Sequence, residues 1–242
     1  MTRWMIIIGG LVVVGGLILV VRHNQVATTN TIANQQTSIN SATTATLSND
    51  GTKPAPPPVN TTSVVVNTST ITATVVVPIA DFFTRITKKP FGIYITPKTS
   101  PVQPEKFTGY HAGADAETTS AETKIDIPIM AIADGTVVFA GHVNGYGGVI
   151  LIRHNIGSET VTALYGHLRI SSFTKKVGNA VKPGEKIAVL GTGFSSETDG
   201  ERKHLHFGII KGDAINYKGY VPTKSGLSAW EDPVSWLQAK GV

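Results

Sequence analysis

Three textures follow one another along the chain. Trp4 to Val21, WMIIIGGLVVVGGLILVV, runs eighteen residues without a charge or strongly polar group. As a helix it reaches about 27 Å, close to the hydrocarbon thickness of a bilayer. His23 to Thr62 is Thr, Asn, Ser, Gln and Ala, broken by Pro54-Ala55-Pro56-Pro57-Pro58. It has too little apolar surface to offset the entropy of ordering and reads as a disordered linker with a stiffer proline patch. From Ser63 the pattern turns to short β-branched runs, SVVV, ITATVVVPI and FGIYIT. From Ile125 apolar runs alternate with turn signals. PIMAIA, GTVVFAGHV, GVILIRH, TVTALYGHL, KIAVLG and HLHFGII read as strands, separated by Asp134-Gly135, Asn144-Gly145, Asn155 to Gly157 and Lys182-Pro183-Gly184. No segment here has a helical period, so the pattern predicts an all-β domain of two sheets, packed or partly closed. One short helix is expected near the end, with Asp232 as its cap and Pro233 in its first turn.

These textures divide the chain into an anchor over 1–22, a linker over 23–62, a β-rich lead-in over 63–106 and a folded domain over 107–242. The lead-in either pairs with the domain's sheet or forms a separate β element shielding a groove. A cleaved signal peptide is the rival reading of the first segment. Its apolar region runs roughly 7–15 residues before a small-x-small site. Here Val20-Val21-Arg22-His23 follows instead, which favours an uncleaved single-pass anchor. Arg3 and Arg22 flank the span almost evenly, so the large domain behind it decides the orientation. The N-terminus is expected in the cytoplasm and the domain on the periplasmic or cell-wall side of the cytoplasmic membrane. As a coil the linker spans about 35 Å, so the domain stays near the membrane.

Charged residues are 15% of the chain and the formal charge is +5. Without a Lys/Arg-rich run this excludes a nucleic-acid footprint. The absence of cysteine excludes disulfides, thiolate metal sites and cysteine nucleophiles.

Of seven histidines, three groupings stand out. Gly109-Tyr110-His111-Ala112-Gly113-Ala114-Asp115 reads as a glycine-rich loop whose small residues let an imidazole and a carboxylate converge. In His204-Leu205-His206-Phe207 the two imidazoles share one face of a strand, with Leu205 and Phe207 turned to the core. Tyr165-Gly166-His167-Leu168 ends another strand. Each piece alone is weak, since a lone His-x-His is more often structural. Together they favour a metal site. Two imidazoles and one carboxylate with an open position make a catalytic zinc set, and nitrogen and oxygen are the only ligands this chain offers. His142 and His154 read as structural or surface residues, His23 as membrane flank and Tyr165 as core.

At these residues the stretch from Tyr110 to Ile209 resembles the lysostaphin-like (LytM-type) zinc metallopeptidases, which cut peptidoglycan peptides. The HxGxD core of His111 to Asp115, PIMAIADGTVVFAG, NGYGGVILIRH, YGHL, VKPGEKIAVLGTG and HLHF come in that family's order. The resemblance implies a small antiparallel β-sandwich with an open groove and a Zn2+ held by His111, Asp115 and His206. It makes His167 and His204 the catalytic histidines and a metal-bound water the nucleophile. It implies a peptidoglycan peptide as substrate. Two stretches depart from the family: Ala116 to Lys124 and Ser195 to Lys203 are long, and Lys203 replaces a usual proline. Both are expected to border the groove.

A competing reading makes the chain a non-catalytic, zinc-holding regulator or wall-binding module that activates other cell-wall hydrolases. The presence of all five residues weighs against it. A lipoyl or biotinyl carrier needs a lysine at a hairpin tip, and Ala133-Asp134-Gly135 and Asn144-Gly145 have none.

Overall fold

The computed structural model describes residues 73–242. The apolar stretch 4–21 and the linker 23–62 lie outside the described residues, among which no helix is long and apolar enough to cross a membrane. The described elements are, in order, α1 (Phe82–Arg85), β1 (Tyr94–Ile95), β2 (Gly109–His111), β3 (Ala114–Glu117), β4 (Pro128–Met130), β5 (Gly135–Val143), β6 (Gly147–Ile156) and β7 (Glu159–Leu168). There follow β8 (Ala180–Val181), β9 (Lys186–Val189), β10 (His204–Lys211), β11 (Tyr220–Val221), β12 (Trp230–Glu231) and α2 (Pro233–Ala239).

The main sheet is open, ordered β12-β10-β7-β6-β5-β8 with β3 also on β10, and every pairing is antiparallel. Its central strands are buried on both faces, which explains why VILI and HLHFGII are nearly continuous apolar runs rather than alternating ones. Successive residues serve two separate cores. Ile150, Ile152, Tyr165, Leu205, Phe207 and Ile209 pack with the small β4-β9 sheet and α2. Val149, Leu151, Leu164 and Ile210 pack on the other face with Ala112 and Val221 of the β1-β2-β11 side. The domain is thus mostly β and not a closed barrel.

The described part of the lead-in packs directly on this body. Val76 N–H donates to Ile132 O (2.9 Å) and Met130 N–H to Pro78 O (2.8 Å). Ile79 and Phe82 are fully buried, and Phe82 meets Phe207 edge-on at 5.6 Å. Burial of such a ring contributes about 2–3 kcal/mol. α2 forms as its sequence predicts: the Asp232 carboxylate accepts from Val234 N–H (3.0 Å) and Pro233 opens the first turn.

His154 on β6 is fully buried, whereas His142 is exposed. The His154 Nδ1–H donates to Asp134 O at 2.9 Å, and Nε2 has no partner. Burial lowers its pKa to about 4. An unfolded histidine titrates near 6.5, so between those two values the unfolded chain binds more protons and stability rises with pH. The full effect is roughly 3 kcal/mol, present above pH ~6.5 and lost as pH falls toward 4. For metal-free protein, denaturant midpoints measured from pH 4 to 7 should show a shallower pH slope in His154→Gln than in the wild type. Equal slopes would show that this ring is not the proton acceptor.

Candidate metal centre

β10 carries the site because it is paired along both edges. On one edge His206 lies opposite Asp115 of β3, and on the other opposite Gly166 of β7. On this strand Leu205 and Phe207 enter the core and His204 and His206 share the opposite face, as the alternation predicts. The presumed glycine-rich loop is instead the end of β2 and the start of β3, joined through Ala112-Gly113. Gly113 is required by close approach: a Cβ there would come within 2.7 Å of both His206 Nε2 and Phe207 O.

His111 Nε2, His206 Nδ1 and Asp115 Oδ1 form a triangle with edges of 3.0, 3.1 and 3.2 Å. All three residues are buried. A four-coordinate zinc with ligand bonds of about 2.0–2.1 Å separates its ligand atoms by roughly 3.3 Å, so the donor set fits that ion. His111 Nδ1–H donates to Pro90 O at 3.2 Å, which leaves Nε2 bare and aimed inward. Burial works against the Asp115 charge, yet the imidazoles of His111 and His204 hold its carboxyl well below the usual range. Burial lowers the pKa of His206 to about 4, keeping the ring neutral.

The other two histidines stand beside this triangle, with ring centroids 4.2 Å apart. His167 Nδ1–H donates to Tyr146 O (3.0 Å) and His204 Nδ1–H to Arg202 O (2.9 Å). Each ring therefore turns Nε2 away from its backbone anchor, and His204 Nε2 lies 3.3 Å from Asp115 Oδ2. His167 has a left-handed backbone, φ 63°, and Gly191 N–H binds its carbonyl at 2.9 Å. Such strain in a non-glycine residue persists only where the surroundings enforce it. Burial, then the neighbouring His204, pushes the His167 pKa well below its ordinary value. All five sequence-predicted residues thus come together.

Asp115, His167, His204 and His206 open on a pocket of about 300 Å³ walled by Phe107, Tyr146, Tyr217 and Tyr220 and by Lys89 and Arg202, with His111 buried behind them. Lys89 is neutralised by Glu105 and donates to Tyr220 Oη (3.1 Å). Of the two long stretches, 195–203 reaches this pocket through Glu201 and Arg202, whereas 116–124 does not line it. Lys203 is buried and binds the carbonyls of Glu122 (3.0 Å) and Ile125 (2.6 Å), tying one long stretch to the other. Arg202, Lys89, Tyr146 and Tyr220 escaped the sequence reading. Only Arg202 carries a local signal, as a charge two residues before a strand whose inward positions bear imidazoles.

Comparison with known proteins places this geometry. The profile described as Peptidase family M23 matches residues 109–217. Lipoprotein NlpD of Yersinia enterocolitica is 38% identical over 100 residues, 40% of this chain and 92% of that protein. The chain belongs to peptidase family M23. Two other relatives have contrasting names. The DD-carboxypeptidase/endopeptidase Mpg of Neisseria meningitidis serogroup B is 42% identical over 91 residues, 37% of this chain and 19% of that protein. The murein hydrolase activator EnvC of Escherichia coli K12 is 38% identical over 89 residues, 36% of this chain and 19% of that protein. This M23 chain spans about a fifth of the length of the first curated relatives it matches.

Replacing Gly113 by Ala should push His206 off the triangle or displace Phe207. An overpacking cost of about 1–3 kcal/mol is expected, together with weaker zinc binding. Thermal melting and zinc titration of Gly113→Ala check both; unchanged zinc affinity would mean that β2–β3 packing does not set the ligand geometry.

Proposed function

We propose that the chain is a membrane-anchored zinc endopeptidase hydrolysing peptide bonds of peptidoglycan, with residues 4–21 in the cytoplasmic membrane and the folded domain outside it. The observation that carries this reading is the buried triangle of His111, His206 and Asp115 beside two histidines with inward-facing Nε2 atoms. His111, Asp115 and His206 hold the ion. Bound zinc supplies Lewis acidity and a water that ionises near neutral pH.

The chain's own groups then divide the proton work. His167, kept neutral by burial and fixed through Tyr146 O, accepts the proton of the attacking water at Nε2. The resulting imidazolium returns it to the departing amine. His204 is the donor. Its Nε2 lies 3.3 Å from Asp115 Oδ2 at the wall of the pocket, placed to steady the developing oxyanion. The aromatic walls of the pocket hold an extended peptide and limit water.

The second reading, a zinc-holding activator of other wall hydrolases, is favoured by the likeness to EnvC. Both readings require the metal, and only the first requires His204 to turn over. Full-length protein should bind one zinc per chain and release free amines from peptidoglycan until a chelator is added. His204→Ala should keep its zinc and lose about 10²–10⁴-fold in turnover. Wild-type turnover in His204→Ala would sink the assignment, and bound zinc without amine release from any wall preparation would establish the activator. A freely soluble mature form in cell fractionation would remove the anchor.

A further inference from the structure

The two oxygens of Asp115 have different partners. Oδ1 belongs to the triangle with His111 and His206. Oδ2 receives Arg202 Nη2–H at 2.9 Å and lies against His204 Nε2. Arg202 is itself buried, and its guanidinium also grips Glu117 through Nε (2.9 and 3.1 Å) and Nη2. Asp115 and Glu117 are two apart on β3 and so project to one side. One planar, permanently charged fork therefore spans both carboxylates, which a point charge cannot do. The same residue's carbonyl accepts from His204 Nδ1–H at 2.9 Å.

We propose that Arg202 is the positioning residue of the metal centre: by occupying Oδ2 it presents Asp115 to the ion through Oδ1 alone. The proposal rests on the metal-holding reading above. Without the guanidinium the Asp115 carboxylate is free to turn about its own bond and offer both oxygens, raising the coordination number and unseating His204 Nε2 from its neighbour. The clamp also compensates the buried carboxylate before any ion arrives, so the ligand is in place beforehand. Lys203 anchors the other side of the same segment on the Glu122 and Ile125 carbonyls, and the long stretch 195–203 thus acts as a brace for the metal ligands.

Removal of Arg202 alone strands Glu117, so two variants are compared with the wild-type full chain in detergent. Arg202→Lys keeps the charge but not the fork. Arg202→Met combined with Glu117→Gln removes both charges. Competition with a chromophoric chelator reads zinc affinity, and the visible absorption of the cobalt-substituted protein reads coordination number. In both variants zinc should bind about 10–100-fold more weakly, the range for loss of an outer partner of a ligand. The cobalt band should weaken as four-coordination is lost. Wild-type affinity and spectrum in either folded variant would overturn the proposal. So would loss of folding in both, by near-ultraviolet circular dichroism with metal present, since the clamp would then serve the fold. A wild type that binds neither zinc nor cobalt would instead remove the metal reading beneath it.

Discussion

A carboxylate buried to the extent of Asp115 is costly unless every oxygen has a positive or donating neighbour. The arrangement of the domain around it follows from that requirement. Two imidazole nitrogens meet one oxygen, and a guanidinium and a third imidazole meet the other. Four strands and a long connection contribute to this single group: β2 brings His111, β3 the carboxylate, β10 the pair His204 and His206, β7 the neighbouring His167, and the 195–203 stretch Arg202. A cluster of bare nitrogens and oxygens directed at one point leaves a concentration of lone pairs that only a cation or a shared proton relieves.

Such convergence needs a rigid scaffold, and β10 supplies it by having two faces and two edges in use. One face is committed to the hydrophobic core through Leu205, Phe207 and Ile209, which fixes the strand's rotation. One edge is pinned to β7, which fixes its height, and the other reads the register of β3. A slip by one residue would turn the imidazoles into the core and the leucine into the pocket, so the apolar residues enforce the chemistry of the polar ones.

What was legible in the sequence tracks the range of the forces involved. Each of the six apolar runs between turn residues holds a strand, although β4 keeps only Pro128–Met130 of PIMAIA and β9 only Lys186–Val189 of KIAVLG. The Asp232-Pro233 helix start is equally local. β1, β8, β11 and β12 are two residues each, too short to leave a period. β2 and β3 passed for a loop because small residues normally mark turns. Here they are small because β10 lies against them, a tertiary reason invisible to a local reading. The five site residues were found because they cluster in three short motifs. Arg202 was not, because its partners Asp115 and Glu117 lie far back in the chain and no spacing rule links a charge to them. Pro90 acts on His111, and Lys89 on Asp115, through main-chain carbonyls, which any residue type possesses and no composition betrays.

The Pro90 carbonyl that orients His111 lies outside the 109–217 stretch by which the family is recognised. So does the Lys89 carbonyl that receives the Asp115 N–H. The centre is therefore written in two separate stretches of the sequence. The recognisable one carries the ligands. The upstream one adds the Lys89 and Phe107 side chains to the pocket wall, and it touches the ligands themselves through main-chain carbonyls, so the path of its chain sets the tilt of an imidazole. Altering the approach of that connection between α1 and β1 would turn the His111 ring while leaving every signature residue untouched.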